Sequence, residues 1–165
     1  MKDIRTAKLD FPLFTHETDL VYLDAAATSL KPRSVIQAEV EYLEKYSANI
    51  ARGLYPLAET VTEKFEAVRG KVAAFIGAKS EKEIIFTSGT TASINLAARL
   101  LASLVDAADN IVVTEMEHHS NFLPWKELAQ ERFAAFRVIP MTAEGTIDIG
   151  SLAISIDART KIVAF

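Results

Sequence analysis

Residues 110–114 have the sequence Asn-Ile-Val-Val-Thr, and this short apolar run decides the fold class. Such a run is typical of a strand that is buried on both faces of a parallel sheet. Similar runs occur at residues 135–140 and 161–165, and helical patterns separate them at residues 122–132 and near residues 151–154. Strands that alternate with helices of this length predict βαβ units and a largely parallel sheet.

The predicted elements upstream are more helical. They are strands at residues 20–23 and 83–86 and helices at residues 35–45 (with Ser34 as N-cap), 58–75 (closed by Gly77) and 90–104. The predicted fold class is therefore α/β, with an N-terminal helical segment before a mostly parallel sheet flanked by helices.

The composition is that of a soluble globular protein, with 50% hydrophobic residues and a net charge of -4 in 165 residues. No Lys/Arg run indicates nucleic-acid binding, and the absence of cysteine excludes a disulfide framework and a thiolate metal site. The apolar stretch at residues 94–105 is interrupted by Asn95, Arg99 and Ser103, which argues against a membrane span. Residues 1–10 are unlike a signal peptide, so we expect a cytoplasmic protein.

Residues 87–91, Thr-Ser-Gly-Thr-Thr, lie between a predicted strand and a predicted helix. Ligands of open α/β sheets bind outside the carboxyl ends of the strands. A helix N-terminus there offers free N–H groups and a favourable dipole to an anion, so Gly89, Thr90 and Thr91 predict a phosphate site. The segment has neither the lysine of a P-loop nor a dinucleotide fingerprint, and plain helix capping is the alternative.

Residues 115–121 follow the strand at 110–114 and contain two of the three histidines of the chain, His118 and His119. An imidazole at a strand end can stack on a ring, transfer protons or bind metal. Metal is the weakest interpretation, because neighbouring residues point in different directions and spacing places no third ligand. An exposed polar loop is the alternative.

Two further segments are candidates for a substrate pocket. Small residues at 24–28, including Ala26 and Ala27, leave room beside a predicted strand, although a well-packed turn would look the same. Arg52 precedes Gly53 and could meet an anionic group, or be an ordinary surface charge.

Taken in order, these pieces resemble the N-terminal part of the class V aminotransferase-like, fold-type I pyridoxal-phosphate (PLP) enzymes, above all the SufS-type cysteine desulfurases and selenocysteine lyases. The resemblance covers nearly the whole chain and rests on an ordered set of motifs. They are residues 22–28, 52–53, 62–64, 68–69, 85–91, 94–96, 116–121, 124–125 and 144–147.

The resemblance implies roles for these residues. Thr90 and Thr91, after Gly89, would bind the PLP phosphate, and His118 would stack on the pyridine ring and assist proton transfer. Ala26 and Ala27 would border the substrate pocket. Arg52 would lie near the active-site entrance, close to the interface of a homodimer.

Two departures from the SufS-type pattern occur. Ala51 stands where many such sequences have histidine, and residues 91–95 are Thr-Ala-Ser-Ile-Asn instead of Thr-Glu-Gly-Ile-Asn. The resemblance implies that the catalytic lysine, its acidic partner and the persulfide-forming cysteine lie beyond residue 165. Lys79 and Lys126 have the setting of surface residues. The chain is thus expected to be an inactive N-terminal portion, with a small-domain and entrance segment at 1–57 and a partial PLP-binding domain at 58–165.

The complete protein implied by the resemblance removes sulfur or selenium from L-cysteine or L-selenocysteine, leaving L-alanine and an enzyme persulfide. Iron-sulfur cluster or sulfur-cofactor assembly would use the sulfur, through a possible sulfur-acceptor protein. The alternatives are another class V aminotransferase or lyase, and a non-catalytic phosphate-binding α/β module complete in 165 residues.

Overall fold

The structure is a computed structural model that describes residues 4–165. The chain divides into two compact units, of which the first ends at Ile84 and the second comprises Ile85–Phe165. The helices of the first unit are α1 (Ile4–Ala7), α2 (Leu13–His16), α3 (Arg33–Lys45) and α4 (Pro56–Ile76). The second unit contains α5 (Thr90–Leu101), β1 (Asn110–Thr114), α6 (His119–Glu131), β2 (Ala135–Ile139), α7 (Ile149–Ser155) and β3 (Thr160–Ala164).

Helix α4 confirms the long helix predicted from residue 58, and it begins two residues earlier with Pro56 in its first turn. Proline suits that position because its fixed φ is helical and the missing N–H would be unpaired there anyway. Gly77 ends the helix as predicted. It has a left-handed φ of 72°, and the following Ala78 N–H donates to the Ala73 carbonyl at 2.9 Å.

Helix α3 confirms the helix predicted at residues 35–45, but the prediction of Ser34 as its N-cap is wrong. The residue before the helix is Pro32, whose carbonyl accepts hydrogen bonds from the N–H groups of Val35 and Ile36. Ser34 therefore already lies inside the first turn.

The two strands predicted at residues 20–23 and 83–86 are also wrong. Val21 and Leu23 are exposed, and the chain then folds into a turn whose Asp24 and Thr28 carbonyls accept hydrogen bonds from the Tyr22 hydroxyl. Residues 84–87 have no strand pairing, and the Ile84 carbonyl accepts a hydrogen bond from the Arg69 guanidinium instead. Both segments have the composition of strands, but neither is paired in a sheet within the described residues.

The second unit contains a parallel three-stranded sheet in the order β2-β1-β3, so the predicted α/β class and parallel sheet are confirmed. All five residues of the central strand β1 are buried. Ile111 and Val113 form a core with α5 and α6, to which α6 contributes Trp125 and Leu128. Burying an aliphatic side chain of this size contributes about 1.5–3 kcal/mol to stability.

A network of polar side chains joins the three strands at the amino end of this sheet. The Asn110 side chain, 1% exposed, donates to Asp157 at 2.9 Å and accepts from the Thr160 hydroxyl at 2.9 Å. Arg137 donates to the other Asp157 oxygen at 2.9 Å. Hydrogen bonds from the Arg159 N–H and from Arg137 lower the pKa of Asp157 to about 2. At the opposite, carboxyl end of the sheet, residues 115–121 follow β1.

Within residues 4–165, no helix is long and apolar enough to cross a membrane. The same described residues contain no group of three or more histidines and carboxylates placed to hold a metal ion. The assignment of residues 1–57 and 58–165 to small-domain elements and a PLP-binding domain stays a prediction.

Candidate functional site

Helix α5 begins at a backbone conformation that only glycine adopts readily. Gly89 precedes the helix with φ 148° and ψ 175°, and no atom lies within 4 Å of the position that a Cβ would occupy. The Thr87 hydroxyl accepts from the Gly89 N–H at 3.4 Å and lies 2.6 Å from the Ser93 hydroxyl. The Thr87 hydroxyl therefore links the loop at Gly89 to Ser93 in α5, while the space next to the Gly89 Cα stays open.

The first turn of α5 has no cap. Its N-cap residue Gly89 provides no side-chain acceptor, and among the described residues no acceptor is bonded to the N–H groups of Thr90, Thr91 and Ala92. Unpaired N–H groups at the positive end of a twelve-residue helix form a favourable environment for an anion. The Thr91 side chain is exposed beside them and can donate a further hydrogen bond.

Helix α6 begins differently, because the imidazole of His118 is its cap. The ring Nδ1 accepts a hydrogen bond from the Ser120 N–H at 3.1 Å and lies 2.8 Å from the Ser120 hydroxyl. The neighbouring His119 ring is tilted by 54° with its centroid 6.4 Å away, so the two rings face different directions.

The turn that carries His118 is held by a chain of side-chain hydrogen bonds from β1 to α6. The Thr114 hydroxyl donates to one Glu117 oxygen at 2.6 Å, and the Asn121 amide donates to the other at 2.7 Å. The buried Trp125 indole in turn donates to the Asn121 carbonyl oxygen at 2.9 Å. Both Glu117 oxygens are therefore used within the described residues, and the carboxylate acts as a clamp at the end of β1.

The two helix starts meet at one surface pocket of about 370 Å³ in the second unit. Its lining residues are Thr91, Asn95, His118, His119, Ser120, Leu123, Pro124 and Glu127. Thr91 and His118 thus lie on the same pocket, as expected if one ligand contacts both, whereas Gly89 and Thr90 are not among its lining residues. The open N–H groups and the imidazole fit a ligand that joins a phosphate to a flat ring.

The remaining predicted site residues lie in the first unit. Ala26 and Ala27 belong to an exposed turn in which the Ala27 N–H donates to the Asp24 carbonyl at 3.2 Å. Arg52 lines a concavity of about 420 Å³ together with Asn49, Ile50, Ala51, Gly53 and Tyr55. Neither group lines the pocket of Thr91 and His118.

The segment before Arg52 is unusual in its backbone. Ala51 has a left-handed φ of 75°, and its N–H donates to the Thr62 hydroxyl at 3.0 Å. A side chain on Gly53 would lie 2.2 Å from the Ala58 Cβ, so only glycine fits there.

Sequence reasoning assigned no role to Ser120, Glu117 or Ser93. Ser120 pairs with the imidazole, Glu117 joins β1 to α6, and Ser93 braces the loop before α5. The spacing of Glu117 and Asn121, four residues apart across a helix start, was an available signal for the clamp. A histidine in the cap position has no comparable signal, because serine, threonine, aspartate and asparagine are the usual caps.

The fold and pocket define a class of protein: an α/β protein with a parallel sheet and a surface pocket next to the turn that follows its central strand. The sequence pattern of the family described as "Aminotransferase class-V" matches residues 21–165. The chain belongs to this family.

The relatives identify the branch of the family to which the chain is similar. It is 42% identical over 165 residues to a protein named cysteine desulfurase from Enterobacter sp. (strain 638), covering 98% of this chain and 41% of that relative. It is 44% identical over 172 residues to a probable cysteine desulfurase from Streptomyces coelicolor, covering 99% of this chain and 41% of that relative.

Solved structures give the same result. The apo structure of a cysteine desulfurase from Thermococcus onnurineus NA1 matches with a TM-score of 0.86 and 39% identity, over 99% of this chain and 40% of that one. The cysteine desulfurase CsdA from Escherichia coli matches with a TM-score of 0.80 and 33% identity, over 99% of this chain and 41% of that one. The chain therefore spans about 40% of the length of the relatives that it matches.

Proposed function

We propose that this chain is part of a PLP-dependent cysteine desulfurase, which removes sulfur from L-cysteine and leaves L-alanine and an enzyme persulfide. The observation that carries the proposal is the shared pocket of Thr91 and His118. It is supported by the similarity to proteins named cysteine desulfurase along almost the whole chain.

The α5 start would bind the phosphate of PLP. The free N–H groups of Thr90, Thr91 and Ala92 converge there, the helix dipole favours a dianion, and the Thr91 hydroxyl adds a donor. Gly89 keeps the approach open because it carries no side chain. Glu127 also lines the pocket, more than two helical turns beyond the cap residue His118.

His118 would lie against the pyridine ring and exchange a proton with the substrate. When bound, PLP supplies an electron sink for the bonds that are broken at the substrate carbon. The protein's own contribution is to hold the imidazole in one orientation, which the bonds to Ser120 support.

The reaction also requires a lysine that binds PLP covalently and a cysteine that accepts the sulfur. The 165 residues contain no cysteine, and Lys79 and Lys126 are exposed side chains outside the Thr91–His118 pocket. The proposal therefore assigns both groups to parts of the enzyme outside these residues, and it assigns no turnover to this chain alone.

The pocket for the amino acid and the assembly are further parts of the proposal. Ala26 and Ala27 would border the substrate, and Arg52 would lie at the entrance near a homodimer interface. A sulfur-acceptor protein, a role in iron-sulfur cluster or sulfur-cofactor assembly, a cytoplasmic location and the use of L-selenocysteine remain proposals by family likeness.

The decisive experiment titrates the 165-residue chain with PLP, with pyridoxal and with inorganic phosphate, and compares the wild type with Thr91→Val. Valine keeps the shape but removes the hydroxyl donor. PLP affinity should therefore fall about five- to tenfold, as expected for the loss of one hydrogen bond of about 1–1.4 kcal/mol. Pyridoxal, which has no phosphate, should bind both proteins equally.

Thr60→Val is the matched control, because Thr60 is an exposed threonine in the first turns of α4 whose hydroxyl donates to the Pro56 carbonyl at 3.0 Å. It should not change PLP affinity. Borohydride treatment should give no stable adduct at one unique lysine of this chain. Equal PLP affinity in Thr91→Val and the wild type, or such an adduct, would contradict the proposed arrangement.

A further inference from the structure

The ring of His118 is held by the helix that it caps. Its Nδ1 receives the Ser120 N–H at 3.1 Å and lies 2.8 Å from the Ser120 hydroxyl. A backbone N–H can only donate, so Nδ1 must present its lone pair. A proton on Nδ1 would face the Ser120 N–H, which places two donors against each other. The neutral ring therefore carries its proton on Nε2.

The backbone below the ring is fixed independently. Glu117, the residue before His118, joins the Thr114 hydroxyl of β1 to the Asn121 amide of α6 through its two oxygens at 2.6 and 2.7 Å. Thr114 is 3% exposed, so the clamp is anchored in the central strand. The ring can then turn only about its own side-chain bonds, and the Ser120 contacts restrict that rotation.

The other ring nitrogen is available. Within the part of the chain that the structure describes, no group is hydrogen-bonded to Nε2 of His118, whose side chain lines the pocket together with Thr91. Nδ1 is occupied inside the first turn of α6. Of the two nitrogens, only Nε2 can hydrogen-bond to a ligand without breaking the helix cap.

We propose that Ser120 and Glu117 are positioning residues that fix the tautomer and orientation of His118, so that Nε2 is the atom through which this histidine holds or moves a proton. The role in proton transfer rests on the proposed function, whereas the tautomer and its dependence on Ser120 do not. Ser120 fixes the orientation of the imidazole ring, and Glu117 fixes the backbone of the turn that contains His118.

The test is nitrogen-15 NMR of the imidazole groups in the full 165-residue chain without PLP. The chain has three histidines, so the His118→Asn spectrum identifies the His118 signals by their loss. We expect a single Nε2–H tautomer with a hydrogen-bonded Nδ1 for His118. His119 and His16 have no comparable side-chain bonds within the described residues, and they should show mixed, solvent-like signals. A mixed or Nδ1–H state at His118 would overturn the proposal.

Variants separate the two positioning residues. Ser120→Ala removes the hydroxyl and keeps the N–H, so a minor Nδ1–H population should become detectable, and Ser120→Thr should restore the wild-type signature. Glu117→Gln places an amide NH2 against one of the two donors, Thr114 or Asn121, so the His118 signals should broaden as the turn loosens. Wild-type signals in both Ser120→Ala and Glu117→Gln would refute the positioning roles.

Ser151→Ala is the matched control. Ser151 donates from its hydroxyl to the cap residue of α7, Asp148, at 2.8 Å, so it loses an equivalent bond at another helix start. It should leave the His118 signals unchanged. These spectra are recorded without PLP, so the two experiments are independent. If Thr91→Val did not weaken PLP binding, the tautomer assigned to His118 would be unaffected. If the spectra showed another tautomer, the conclusion on PLP binding at Thr91 would be unaffected.

Discussion

Helices α5 and α6 belong to the same compact unit and line the same pocket, but they differ in how the N–H groups of their first turns are capped. At α5 the cap position is Gly89, without a side chain, and the N–H groups that follow are open. At α6 the cap is the His118 ring, which occupies the Ser120 N–H. The α5 start thus leaves N–H groups without a partner within the described residues, whereas the α6 start uses the Ser120 N–H to orient a side chain.

The third α-helix of the unit is α7, and it also begins with a side-chain cap. Asp148 accepts from the Gly150 and Ser151 N–H groups at 2.9 and 3.2 Å. A carboxylate is the usual solution at a helix start, because it satisfies the free donors and interacts favourably with the helix dipole. Against this standard, the open α5 start and the imidazole cap of α6 are both exceptions, and both occur at the pocket.

The largest expected effect comes from removing the glycine of the open start. Gly89→Ala forces a side chain into φ 148°, which L residues rarely adopt, so unfolding should require about 1–3 kcal/mol less. Thermal and denaturant unfolding measure this loss. The same substitution at Gly70 inside α4 should instead stabilise by up to about 1 kcal/mol, because that glycine is helical and its Cβ would meet only Glu81 at 3.7 Å. Equal effects at the two glycines would show that the α5 start is not conformationally restricted.

A smaller effect tests the closed start at α6. His118→Ala removes both the ring and the cap, whereas His118→Asn removes the ring and supplies another good cap. The alanine variant should be less stable than the asparagine variant by about 1 kcal/mol, or about 2–4 °C in Tm for a domain of this size. Calorimetry gives both values. Equal stabilities would mean that the imidazole does not serve as a cap, and the contrast with α5 would then disappear.

The smallest expected effect is the pH dependence of stability that Asp148 contributes, because Asp148 is a charged cap at α7 and the caps of α5 and α6 are Gly89 and His118. Hydrogen bonds from the Ser151 hydroxyl and N–H lower the pKa of Asp148. A carboxyl with a lowered folded-state pKa contributes stability that is present above the unfolded-state pKa of about 4, and that is lost as the pH falls below it. Comparing Tm at about pH 6 and about pH 3 should show a smaller acid-induced fall in Asp148→Asn than in the wild type.

Asp157 contributes in the same direction, with a folded-state pKa of about 2, but it is unchanged in this variant and so cancels from the comparison. An Asp148→Asn protein with the full wild-type acid dependence would show that the α7 cap does not depend on charge.

The sequence predicted the elements whose evidence is local. The sequence shows the apolar runs of β1, β2 and β3 in residues such as Ile111 and Val163, and it shows the C-terminal end of α4 in Gly77. The strands at residues 20–23 and 83–86 were mispredicted, because a strand exists only where another strand pairs with it, and composition does not reveal the partner. In this chain the Ile84 carbonyl is taken by Arg69, which lies 15 residues away along the chain.

The candidate site, like the fold, could be predicted from the sequence only in part. Residues 115–121 follow β1, whereas residues 87–91 do not follow a strand, because residues 84–87 have no strand pairing. Thr91 and His118 nevertheless line one pocket, and the roles predicted for them stay predictions. The bond between Ser120 and the imidazole could not be derived in the same way, because it depends on the rotamer of His118 at the start of α6. The Glu117 clamp was more accessible, because the four-residue spacing of Glu117 and Asn121 is visible in the sequence. The roles of Ala26, Ala27 and Arg52 stay predictions.

The central position of β1 has a consequence for biosynthesis. Its partner β2 follows in the chain, but β3 and the residues that bond to Asn110 come much later, at separations of 47 and 50 residues. On a translating ribosome, the most buried strand of the unit must therefore wait, with one edge unpaired, until Asp157 and Thr160 have been made. Exposed strand edges of this kind promote association between nascent chains. The order of the strands thus leaves this edge of β1 open to association during that interval.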